Sequence, residues 1–195
     1  LERSNQELQQ FAYVASHDLQ EPLRMVSSYL DLLQTELGDD LDGETEEYFA
    51  FAIDGAERMQ AMIDGLLTFS RVQTQADPFE SVDPNRILDD TRQDLQLKIE
   101  NAQATVTSGD LPTIEADANQ LGQLFQNLIK NAIEHGGENT VVEITARKRA
   151  DATEFAVADN GPGIPDYRQD DIFDIFDTGG DSDGTGIGLA VCQEI

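Results

Sequence analysis

The chain has 195 residues and 39% of them are hydrophobic, enough to support one ordinary domain or two small ones and to make wholesale disorder a poor reading. Its 39 Asp and Glu face only 12 Lys and Arg, and the resulting formal net charge of -27 repels a phosphate backbone or an anionic lipid surface, which argues against nucleic acid and direct membrane contact. The longest apolar run, Tyr48 to Ile53, falls far short of the roughly 20 residues that span a bilayer. The single cysteine, Cys192, offers no internal bridge, so a reducing, cytoplasmic setting is the simpler expectation.

Apolar residues recur at Leu8, Phe11, Ala15, Leu19, Leu23, Val26, Leu30, Leu33 and Leu37, in the steps of three and four that mark one stripe of a long helix. The turn formers Gly38 to Gly43 end it, and a second stripe begins at Glu44 and runs through Phe49, Ile53, Ala56, Met59, Ile63, Leu66 and Ser70. Two long helices with a short connection form an antiparallel hairpin, here residues 1–74. A lone hairpin leaves much of both stripes in water, so pairing of two copies into a four-helix bundle is expected.

Periodicity lapses around Gln75 to Pro84, which reads as a linker, and the texture beyond it differs. Asn85 to Ala102 and Ala118 to Glu134 have helical patterns, whereas Thr113 to Ala116, Thr140 to Arg147 and Glu154 to Asp159 read as strands. Residues 85–195 are therefore expected to form an α/β sandwich, and the whole an α + α/β chain. The chain starts without Met inside a helical pattern and stops at Ile195 inside another, as a piece of a longer protein would.

Carboxylates are spread along the whole length, and only three of the basic residues are Lys. That bias resembles proteins of extreme halophiles, where at ~1 M salt a Debye length of about 3 Å screens most of the self-repulsion. An acidic mesophilic protein is the alternative.

Three features carry chemistry. His17 lies about 200° around the helix from both Ala15 and Leu19, opposite the apolar stripe, with Asp18 beside it. Pro22 cannot donate to the carbonyl of Asp18, so a loosened segment is expected next to an imidazole suited to nucleophilic work. Asn127 and Asn131 stand four apart on one helix face, both poor helix formers, and suggest a shared polar ligand such as a Mg²⁺ already carrying phosphate oxygens. Two glycine loops follow. Asp159-Asn160-Gly161-Pro162-Gly163 places an acceptor at a strand end where a planar base can approach, and Gly184-Thr185-Gly186-Ile187-Gly188 opens the last helix as a phosphate cradle. Between them, Phe176 to Asp183 has the Gly, Asp and Ser composition of a lid.

Together, and in this order, the residues resemble the transmitter core of a two-component sensor histidine kinase. Phe11 to Leu23 is similar to its H box, Asn127 to His135 to its N box, Ile172 to Phe176 to its F box and the glycine loops to its nucleotide boxes. The resemblance implies a dimerisation and phosphotransfer hairpin followed by a Bergerat-type ATP-binding domain that lacks its final strands. It implies His17 as phosphoacceptor, Asp18 as its general base, Asn131 as Mg²⁺ ligand and Asp159 as adenine reader. Asn127, Lys130, Asn131, His135, Asp159, Gly161, Gly163, Gly184, Thr185, Gly186 and Gly188 would then contact ATP, and an Asp of a response-regulator receiver domain would accept the phosphoryl group. Glu21 stands where many relatives carry Thr or Asn, and Glu134 where a basic residue is common, which sets phosphatase activity and phosphate binding apart from the usual pattern. A gyrase-type conformational ATPase or a non-catalytic dimerisation scaffold are the alternatives; the amide of Asn127 cannot serve as the water-activating base of the former.

Overall fold

The structure, a computed structural model, describes residues 2–37, 43–74, 77–177 and 184–195, with side chains described at 18–37, 43–72, 77–177 and 184–195. Helix α1, Glu2–Leu37, and helix α2, Gly43–Thr74, lie along one another as the apolar spacing predicts. Pro22 leaves the Asp18 carbonyl without its helical donor, and α1 remains helical on both sides of it.

The two helices touch along one seam, and Leu23, Ala56, Leu67 and Ser70 are the buried residues of the described hairpin. Other members of the predicted stripes, Leu19, Val26, Leu33, Leu37 and Met59, stay exposed, as do Met25, Tyr29, Leu32, Tyr48 and Phe51. In a single copy the stripes are thus a partly used face and not a finished core. So many exposed large apolar side chains on one hairpin favour association with a partner surface.

The rest of the chain begins earlier than the periodicity suggests. Strand β1, Glu80–Val82, falls inside the expected linker and pairs antiparallel with β3, Ile114–Ala116, so that Val82 enters the core. The expected helix over 85–102 is two helices, α3 at Pro84–Asp94 and α4 at Gln96–Asn101, because Leu95 leaves helical geometry at ψ 5° and turns its side chain into the core. Pro84 occupies the first turn of α3, where its missing N–H is no loss, and Asp83 caps that turn by accepting from the Asn85 N–H.

Strand β2, Thr105–Ser108, has no counterpart in the sequence reading; it runs parallel to β4, Val141–Lys148, which is antiparallel to β5, Thr153–Asp159. Helix α5, Ala118–His135, packs on this three-stranded sheet through Phe125 and Ile129, both fully buried beside Val142 and Ile144. The Phe125 and Phe155 rings meet edge to face with centroids 6.0 Å apart. Helix α6, Gly188–Glu194, closes against α5 and α2.

The second unit is seated on the C-terminal half of α2. Ile187, 1% exposed, fills the hollow left by the missing side chain of Gly65. Below it, Gln120 Nε2 donates to the Val72 carbonyl at 3.0 Å. The buried carboxylate of Asp117 caps α5 by accepting from the N–H groups of Asn119 and Gln120, and its other oxygen accepts from the Asp77 N–H at 2.7 Å.

Candidate functional site

Between α2, α5, the loop after β5 and the start of α6 lies a cavity of about 580 Å³. Its lining gathers residues that are far apart in sequence: Asn127, Lys130, Asn131 and His135 from α5, Asp159 at the end of β5 and Gly163 after it, and Gly184 to Gly188 at the last helix. Ala61, Asp64, Gly65 and Thr68 of α2 complete one wall, so the hairpin itself borders the site.

The two α5 amides do different things. Asn127 Nδ2 donates to the Gly188 carbonyl at 3.2 Å and its Oδ1 accepts from Gln123 Nε2, which ties α5 to the glycine loop; it is not half of a free pair. Asn131 lines the cavity with no hydrogen-bond partner among the described residues, leaving a neutral carbonyl oxygen to offer. No three His, Cys, Asp or Glu side chains converge among the described residues. A Mg²⁺ here fits the residues only as an ion that keeps water and phosphate oxygens around one amide ligand, the coordination Mg²⁺ favours.

Asp159 stands at the end of β5, and the Gly161 N–H donates to its Oδ1 at 2.8 Å. That bond fixes one carboxylate oxygen of a residue that lines the cavity. Gly161 itself does not line the cavity. A Cβ there would meet Asp159 Oδ1 at 2.8 Å and the Gly136 backbone at 3.0 Å, so its smallness serves the seating of Asp159. Gly163 has φ 75° and open space beyond it, the conformation and the access that the loop reading asks of a glycine.

At the second loop Gly186 has φ 67°, and a Cβ would lie 2.7 Å from the Asp177 nitrogen. The Phe176 N–H donates to the Gly186 carbonyl at 3.0 Å, so both ends of the expected lid are tied at its root. Of the expected lid, Phe176 to Asp183, residues 178–183 lie outside the described residues.

Both Lys and Arg cations of the described lining are paired. Lys130 Nζ lies 3.7 Å from Glu134 Oε1, but that same oxygen accepts from Lys98 Nζ at 3.0 Å, a cation from α4 that the sequence reading did not bring here. Arg168, at the end of a 3-10 turn over Asp166–Arg168, lines the cavity and pairs with Asp177 at 2.8 Å. Neither was foreseen, because each depends on a turn that only the fold closes. Cys192 sits behind Asn127; burial pushes its thiol up, against a smaller opposing effect of the hydrogen bond with Asn127.

The position of His17 is on α1, but its side chain lies outside the described residues. One turn on, Gln20 Nε2 donates to Asp64 Oδ1 at 2.6 Å, and Asp64 is a cavity wall residue. The H-box segment and the cavity therefore share a structural element. No described helix is long and apolar enough to cross a membrane.

Comparison with known proteins agrees with this arrangement. Residues 7–75 match the His Kinase A (phospho-acceptor) domain, and residues 116–195 match the histidine kinase-, DNA gyrase B-, and HSP90-like ATPase. Cyanobacterial phytochrome A from Nostoc sp. is 45% identical over 100% of this chain, which spans 26% of that protein. The structure of full-length ShkA in complex with AMPPNP is similar over 95% of this chain and 40% of its own, with a TM-score of 0.69 at 25% identity. The structure of histidine kinase ThkA in complex with response regulator protein TrrA has a TM-score of 0.61 at 21% identity, over 91% of this chain and 54% of that one. The chain spans about a quarter of the first curated relatives that it matches. The chain thus carries a match to the phosphoacceptor domain followed by a match to the ATPase domain, the two parts that its histidine-kinase relatives share.

Proposed function

We propose that this chain is the autokinase core of a two-component sensor: it transfers the γ-phosphoryl group of ATP to His17 and then to an Asp of a receiver domain. The observation that carries this reading is the single cavity in which Asn131, Asp159 and the Gly184 to Gly188 loop meet a wall of the phosphoacceptor hairpin.

In this reading Asp159 accepts a hydrogen bond from the exocyclic amine of adenine, and the backbone N–H groups around Gly186 and Gly188 hold phosphate oxygens. Lys130 and His135 border the same space. Asn131 would hold a Mg²⁺, which neutralises phosphate charge when bound. Asp18 removes the proton from Nδ1 of His17 so that Nε2 attacks the γ-phosphorus in line, the P–O bond to the leaving ADP breaks, and a phosphoramidate remains. Transfer to a receiver Asp regenerates the imidazole. Support for such a partner comes from ThkA, whose structure is with a response regulator.

The exposed stripes of α1 and α2 support a homodimer through a four-helix bundle. We take residues 1–74 as the dimerisation and phosphotransfer unit and the remainder as the ATP unit, with the boundary moved to the residues before Glu80 by the pairing of β1. The charge of -27, spread along the whole chain, supports a protein of a high-salt cell, and the single cysteine a reducing, cytoplasmic setting.

Incubation with γ-labelled ATP tests the reading. Acid-labile, alkali-stable label on the chain, lost in His17→Gln, is the expected result. Phosphate release without label would indicate the conformational ATPase, and failure to bind ATP would indicate a scaffold.

A further inference from the structure

The cavity is a poor place for a polyanion as it stands. Among the described residues its charged lining consists of the carboxylates Asp64, Glu134, Asp159 and Asp177 and the cations Lys130 and Arg168, in a chain of net charge -27. A triphosphate must therefore find positive charge that is already spoken for.

Arg168 is the stronger candidate to supply it. Its guanidinium offers several donors in a plane, the geometry that grips phosphate oxygens in pairs, and it is always charged. Side-chain exposures of 29% for Arg168 and 27% for Asp177 place the pair where solvent screens it incompletely. Both partners are held from behind. The Arg168 carbonyl accepts from the Asp171 and Ile172 N–H groups, and the Asp177 N–H donates to the Asp174 carbonyl at 3.2 Å. Asp177 also lies against Gly186, whose lack of a side chain admits its backbone to the phosphate loop. The backbone of Asp177 thus adjoins the glycine loop, and its carboxylate holds Arg168 at the cavity wall.

Resting on the ATP-site reading above, we propose that Arg168 is a phosphate-binding residue and that Asp177 is a built-in competitor which holds its guanidinium until a nucleotide phosphate displaces it. The exchange replaces one anion by another of higher charge density, so Arg168 is never left unpaired. Its energetic consequence is that the affinity for nucleotide phosphates is set below what Arg168 alone would give, and removing the competitor raises it.

The test is calorimetric titration of the intact chain with Mg²⁺ and AMPPNP at fixed salt, and separately with adenosine, which has no phosphate. Arg168→Gln is expected to weaken AMPPNP about tenfold and leave adenosine unchanged, with Arg168→Lys recovering part of the loss. Asp177→Asn is expected to tighten AMPPNP severalfold, and to have no effect in the Arg168→Gln background. Weakening of AMPPNP by Asp177→Asn, indifference to Arg168→Gln, or an equal loss of adenosine binding would overturn the proposal while leaving the nucleotide site intact. Absence of any binding of either compound by the unmodified chain would overturn the site reading and the proposal together.

Discussion

A Cβ placed on Gly65 would lie 2.8 Å from Cδ1 of Ile187, so the contact between the hairpin and the ATP unit is a side chain inserted into a gap in a helix. Gly within a helix costs roughly 1 kcal/mol relative to Ala. Its presence in the middle of α2 is accounted for by this close approach. Gly65→Leu is expected to leave the hairpin helical and to speed amide exchange severalfold across 185–191, as the seat for Ile187 is lost. Unchanged exchange there, in a folded variant, would show that the contact contributes nothing to holding the units together.

Asn127 and Asn131 should separate in mutant behaviour. Asn127 bridges α5 to the Gly188 carbonyl, so Asn127→Ala is expected to lower stability by about 1 kcal/mol, measured in urea, as well as to weaken nucleotide binding. Asn131→Ala removes an amide that has no partner among the described residues, so stability should stay within about 0.5 kcal/mol while Mg²⁺-dependent ATP binding falls. A reversed pattern would contradict the roles given to the two amides.

Asp117 is a buried cap that accepts three N–H groups, from Asp77, Asn119 and Gln120. Asp117→Ala is expected to cost about 2 kcal/mol, the upper end for a helix cap, visible as a lower urea midpoint with little change in slope. Asp117→Asn keeps an acceptor oxygen and should fall between the two. A loss below about 0.5 kcal/mol would mean that water replaces the protein donors without penalty.

Asp83 provides a pH test. Hydrogen bonds from the Asn85 side chain and then its backbone hold the Asp83 carboxyl below the usual carboxylate range. A depressed folded value stabilises the native state above the unfolded pKa, near 3.9, and that contribution fades as pH falls through the folded value. Compared with Asp83→Asn, which caps without titrating, the native chain should show a constant stability difference above about pH 5 that shifts against it in stronger acid. A difference that does not vary with pH would exclude this linkage.

The sequence makes the long elements and the glycine loops legible because their signals are local. Helix periodicity announces α1, α2 and α5, and the spacing of Asn127 and Asn131 places both on one face whatever the tertiary contacts. Strand β2 escaped because Thr105-Val106-Thr107-Ser108 is short, half polar and paired parallel to a strand distant in sequence. Arg168 and Lys98 escaped for a related reason: a cation's relevance to the cavity depends on which carboxylate the chain brings to it, and neither Asp177 nor Glu134 identifies its partner by spacing. Gly161 was expected to make room for a ligand, whereas the room is taken by Asp159 and Gly136.

The bond from the Phe176 N–H to the Gly186 carbonyl closes a loop at its neck. Closure entropy grows only logarithmically, about 0.6 kcal/mol for each doubling of length, so insertions or deletions beyond that neck carry a small thermodynamic cost. A change in the number of residues between Asp177 and Gly184 is therefore expected to alter the cost of closing this neck by less than the loss of one hydrogen bond.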